Sequence, residues 1–177
     1  MKKSVFALLA VSLVAFGAPA YAQKSAGDVL DDNTVNASVK AKLVDTKDVP
    51  SMQVNVETYK GVVLLSGFVE KQSQKDAAGA AAKGVSGVKS VHNAIAIHPS
   101  TSMGTKLDDS VITGKVKAAL MDDADVKSGQ INVETKGGIV QLGGFVTGEK
   151  MKKRAIEVAK GVKGVTRVED AMYVKPE

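Results

Sequence analysis

The chain has 177 residues and no cysteine, which excludes disulfides, thiol catalysis, thiolate metal sites and a lipid-modified cysteine. Its 24 Lys and Arg face 19 Asp and Glu, a net charge of +5 that permits attraction to anionic surfaces without demanding a polyanion. Four Phe, three Tyr and no Trp supply little stacking surface for nucleic acid, so nucleic acid is not an expected partner.

Residues 1–22 read as a signal peptide. Lys2 and Lys3 form a basic start, Val5 to Phe16 an apolar run, and Ala20-Tyr21-Ala22 a small-x-small cleavage site. The run is shorter than the about 20 residues that cross a bilayer. Cleavage before Gln23 is expected, giving a periplasmic or secreted product with no transmembrane segment. Without the two leader lysines, 22 basic residues remain against 19 acidic ones, a balance of +3.

After a polar lead-in to Asp31, Val35, Val39 and Leu43 recur at helical spacing and predict an amphipathic helix, with Asn33 or Thr34 as its N-cap. Val54, Val56 and Thr58 then alternate with Asn55 and Glu57, the period of a half-buried strand. A short turn ending at Gly61 leads to a second run, Val62 to Val69, so the pair predicts a hairpin. Gly67 inside that strand marks a bulge or a close backbone approach. An alanine-rich segment over 71–83 predicts a second helix with Ala78, Ala81 and Ala82 inward and Gly84 at its C-cap. Val91, Ile95 and Ile97 close the unit as a third strand.

The same unit then returns. Val54-Asn55-Val56-Glu57-Thr58 becomes Ile131-Asn132-Val133-Glu134-Thr135, and Gly67-Phe68-Val69 becomes Gly144-Phe145-Val146. The offset is a constant 77 residues (131 minus 54, 144 minus 67), and such repeats are sought first because they set the fold. Ile112, Val116 and Leu120 repeat the first helix, with Asp109 or Ser110 as its cap. Met151, Ala155 and Ala159 repeat the inner face of the second helix, and Val168, Met172 and Val174 repeat the last strand. The expected fold is α+β: two small αββαβ domains, 32–97 and 109–174, joined by a linker over 98–108. Each is a three-stranded sheet with two helices on one face.

The runs Gly61-Val62-Val63-Leu64-Leu65-Ser66-Gly67-Phe68-Val69 and Gly138-Ile139-Val140-Gln141-Leu142-Gly143-Gly144-Phe145-Val146 precede an alanine-rich helix and a Gly-Val-x-Gly-Val turn. In this the chain resembles the BON-domain family over nearly its whole length after the leader. The resemblance implies a periplasmic protein tied to osmotic and envelope stress. It also implies a phospholipid-binding role or, alternatively, a chaperone role toward unfolded envelope proteins. It supplies no catalytic set and no cofactor.

The residues agree that the chain is not an enzyme. His92 aligns with Glu169, so the unit does not require imidazole, and His98 lacks clustered co-ligands; no metal site is expected. No nucleophile elbow or phosphate loop occurs. Asn55-x-Glu57 and Asn132-x-Glu134 read as solvent-facing rows. The sharpest difference between copies is Lys150-Met151-Lys152-Lys153-Arg154 against the nearly neutral Ser73-Gln74-Lys75-Asp76-Ala77. Cations at a helix N-terminus oppose its dipole. Lys150, Lys152, Lys153 and Arg154 are therefore the candidates for anionic phospholipid head groups, set against the plainer reading of a solvated helix face. Val62, Leu64, Phe68, Ile139 and Phe145 are candidates for an open sheet face that binds partners, unless the two domains bury those faces against each other.

Overall fold

The computed structural model describes residues 26–99 and 103–176, so the leader read at 1–22 lies outside the described residues. The first domain runs α1 (Ala26–Val44), β1 (Val54–Tyr59), β2 (Val62–Val69), α2 (Gln72–Lys83), β3 (Ser90–Asn93) and β4 (Ala96–Ile97). The second runs α3 (Met103–Asp122), β5 (Asn132–Lys136), β6 (Ile139–Val146), α4 (Glu149–Lys160) and β7 (Arg167–Val174). The αββαβ order appears twice, and the fold is α+β. Helix α3 starts within the segment read as linker.

In each domain the second strand is central. It pairs antiparallel with the strand before it and parallel with the strand after the second helix. Alternation decides what each strand buries. Val63, Leu65 and Val69 of β2 point to the helices, where they meet Val35, Val39 and Leu43 of α1 and Ala78, Ala81 and Ala82 of α2. The second core repeats this with Val140, Leu142 and Val146 against Ile112, Val116 and Leu120 of α3 and Met151, Ala155 and Ala159 of α4. The alanines let the second helix lie close on its sheet.

Gly67 and Gly144 mark a close approach rather than a bulge. The β1–β2 register runs through Val54↔Gly67 without an extra residue. At φ +113 and +132 these positions favour glycine, and a Cβ at either would collide with the carbonyl oxygen of Gln53 or Gln130. Because no bulge reverses the alternation, Phe68 and Phe145 point away from the helices. The C-cap positions fall at Gly84 and Gly161 as expected.

The expected N-caps are corrected. Both first helices begin a turn or more upstream, so Asn33, Thr34, Asp109 and Ser110 lie inside them. Asp109 instead reaches out of its helix to the hairpin. Its two carboxylate oxygens accept the N–H groups of Gly137 and Gly138, each at 2.8 Å. Asp32, 77 residues earlier, accepts those of Lys60 and Gly61 in the same way. A tight two-residue turn points two successive N–H groups outward, and a carboxylate has the oxygens to take both.

Candidate interaction surfaces

The sheet faces turned away from the helices are packed on each other. Leu64 is 1% exposed, Phe68 and Phe145 are buried, and Val62 and Ile139 are half-buried. The expectation of an open interaction face at these five residues is therefore corrected. Each sheet has helices on one side only, and the other domain covers the second apolar side.

The packing follows a pseudo-twofold relation. Asn55 donates to Glu134 at 3.3 Å, and its counterpart Asn132 donates to Glu57. Ser66 faces its own counterpart Gly143, where an added Cβ would lie 2.7 Å from Ser66 Oγ. A residue touching its repeat equivalent marks the axis. The repeated Asn-x-Glu row, read as solvent-facing, is exposed at Asn132 and Glu134 and half-buried at Asn55 and Glu57, and it forms a reciprocal clasp between the domains. Aromatic contacts line the same seam: Tyr59 with Phe145, Phe145 with Tyr173 and His92 with Tyr173.

The symmetry fails at one informative place. Gln141 sits where the first copy has Leu64, and it is 3% exposed. Its Oε1 accepts the N–H of Gly67, and its Nε2 donates to the carbonyl of Ala94 at 3.0 Å. Parallel register would place that N–H opposite that carbonyl, because Leu65 pairs with Asn93 and Val69 with Ile97. The amide of Gln141 therefore stands in one rung of the first domain's ladder. This is why the third strand is split into β3 and β4, whereas β7 runs unbroken over eight residues facing a leucine that cannot bond. One direct bond becomes two that tie the domains.

The basic cluster at the start of α4 is divided. Lys152 pairs with Asp170 at 2.9 Å and donates to the Met172 carbonyl. Arg154 pairs with Asp123 at 2.8 Å and with Glu157. The Arg154 guanidinium holds the Asp123 carboxyl below its ordinary range. Lys153 is exposed, and Lys150, 90% exposed, lies 3.8 Å from Asp125. On α3, Val111 and Met121 are 55% and 71% exposed, with exposed Gly114 and Ala118 between them. At 100° per residue these four form one outward stripe, with the exposed Lys115 and Lys117 on its two flanks. Sequence reading missed this stripe because it sought the core-facing periodicity of the same helix.

Two domains of one repeated fold, facing each other through a glycine-bearing central strand, match known proteins. The BON domain profile matches residues 31–99 and again residues 108–176. This chain belongs to the BON-domain family. The chain is 35% identical to Osmotically-inducible protein Y of Escherichia coli over 99% of its own length and 96% of that protein. It is similar to the outer membrane lipoprotein DolP of Haemophilus influenzae, at 34% identity over 82% of this chain and 75% of that protein. A 21 kDa hemolysin of Actinobacillus pleuropneumoniae is 32% identical over the same shares.

Within the BON pair the histidines serve the seam. His98 stacks edge-on to Phe68, with its Nε2 3.4 Å from Glu169 and 3.2 Å from Arg167. Among the described residues, no three His, Asp or Glu side chains gather to hold a metal. No described helix is long and apolar enough to cross a membrane.

Gln141→Leu places in the second BON domain the residue the first one has. It is expected to replace the two bonds from Gln141 by the single direct rung between Gly67 N–H and Ala94 C=O, a net loss of one hydrogen bond worth about 1 kcal/mol in urea unfolding. Unchanged stability would contradict the bridging role. Glu57 gives a pH test. Burial in the seam pushes its pKa above the ordinary 4.5, against the lowering pull of the Asn132 amide, the Phe145 backbone, Lys175 and Lys40. Folding then takes up a proton between the ordinary and the raised value, so this group's contribution to stability rises as pH falls through that window. Glu57→Gln is expected to stabilise the protein at neutral pH and to lose that advantage as pH approaches 4.5, read from urea midpoints across the range.

Proposed function

We propose that the chain is a non-enzymatic envelope-stress protein of the periplasm that docks on anionic phospholipid through the helical layer of its second BON domain. The observation that carries this is the burial of both sheet faces. With those faces closed, the helices are the broad surfaces left for a partner. On the second domain they combine the apolar stripe of α3 with the exposed Lys115, Lys117, Lys150 and Lys153. An apolar strip flanked by cations suits the boundary between head groups and acyl chains. The first domain carries Thr34, Ala37, Ala41 and Val44 at the stripe positions, so only Val44 is an apolar side chain larger than alanine. It also has Ser38, Ser73 and Asp76 where the second has Lys115, Lys150 and Lys153. Its helical layer is thus both less apolar and less cationic. The names of the relatives, one osmotically inducible and one an outer membrane lipoprotein, support an envelope setting. A chaperone acting through Leu64 and Phe68 requires the domains to part first, so the lipid reading is preferred.

Co-sedimentation with vesicles of anionic and of neutral phospholipid, over a salt series, tests the proposal. Binding is expected on anionic vesicles at low salt, falling as salt rises. At about 1 kcal/mol per cation, Lys150→Ala with Lys153→Ala weakens it roughly thirtyfold. Val111→Asp with Met121→Asp abolishes it. No sedimentation with anionic vesicles at low salt overturns the reading.

A further inference from the structure

The pseudo-twofold relation makes each edge of the domain seam a template for the other. At one edge the Tyr59 ring lies on Phe145, centroids 5.7 Å apart, with Lys175 Nζ 5.2 Å from the same ring. The offset of 77 residues puts Lys136 and Phe68 at the opposite edge. Lys136 carries no ring, and a cavity of about 460 Å³ opens there. Met52, Phe68 and Glu70 line it from the first domain, and Thr113, Glu134 and Lys136 from the second. A second exchange widens the same space. Asn36, whose amide donates to the Val56 carbonyl at 2.8 Å, corresponds to the shorter Thr113. Met52 is fully exposed at the mouth, and a thioether there suits contact with a ring. The volume falls within the range of small-ligand sites, about 300–1,000 Å³.

We propose that this cleft binds an aromatic ring bearing a cationic group, seated on Phe68 as Tyr59 is seated on Phe145. The ring takes the place that Tyr59 fills at the other edge. The charge follows from the lining, where Glu70, Asp109 and Glu134 bring three carboxylates against the one ammonium of Lys136. Either a free arylalkyl ammonium or an aromatic side chain of a basic peptide has this chemistry. The site lies on the seam, lined from α3 by Asp109, Ser110 and Thr113 rather than by Val111 or Met121, and does not depend on lipid binding.

Tyramine, 4-hydroxyphenylacetate and a lysine-containing peptide with one tyrosine are titrated into the full chain, followed by ¹⁵N–¹H correlation spectra. Saturable shifts are expected at Phe68, Thr135 and Lys136 with tyramine or the peptide, and weaker ones with the anion. The tighter of the two cationic probes identifies the source. Lys136→Tyr rebuilds the Tyr59 arrangement and fills the cleft, so binding drops by about tenfold or more. Thr113→Asn narrows the cleft from its other wall and gives the same loss should the first variant not fold. No saturable shift up to ~10 mM, or equal binding by both variants, overturns the proposal.

Discussion

A small sheet with helices on one side has a second face that water must not wet when it carries Leu64, Phe68 or Phe145. The other domain is the cover. Sheets stack face to face at about 10 Å, and here two copies of one sheet do so across an axis passing near Ser66 and Gly143. The rest of the architecture depends on that contact. It fixes the direction in which each helical layer faces outward. It turns the polar Asn-x-Glu rows into reciprocal bonds. It leaves little room at 143, where an added Cβ would lie 2.7 Å from Ser66 Oγ.

Much of each domain was legible in the sequence. Helical stripes, strand alternation and the constant offset gave the αββαβ order, because local periodicity reports which side of an element meets its own core. The same reasoning stopped at the outer face. Leu64 and Phe68 alternate identically whether they face solvent, a client or a second sheet, so both alternatives stayed open. The Asn-x-Glu rows show their polarity and, at Asn132 and Glu134, their exposure in the sequence, but not their pairing, in which Asn55 bonds the counterpart of Glu57 and Glu57 the counterpart of Asn55. Asp109 carries the signature of a cap because capping rests on local N–H groups, whereas its donors lie in a turn 28 residues on. The α3 stripe is masked in the sequence by the stronger core-facing pattern of Ile112, Val116 and Leu120 on the same helix.

Comparing the copies separates what folds the unit from what one copy does alone. Asp32 and Asp109, Gly67 and Gly144, and the Asn–Glu clasp are held in common and account for fold and pairing. Gln141 against Leu64 fixes which sheet inserts into which, at the cost of one ladder rung. Lys136 against Tyr59 leaves one end of the seam unfilled. Val111 and Met121 against Thr34 and Val44 make one helical layer more apolar than the other. The basic cluster of α4 is less distinctive than its composition implies, since two of its cations are tied to Asp170 and Asp123.

The face-to-face contact is the central claim, and aromatic ring contacts test it most directly. Tyr59 meets Phe145 at 5.7 Å and His92 meets Tyr173 at 5.2 Å, each pair joining the two domains. Nuclear Overhauser spectra of the aromatic protons are expected to show cross-peaks for both pairs. Absence of both, with each domain's own core contacts intact, would contradict the account.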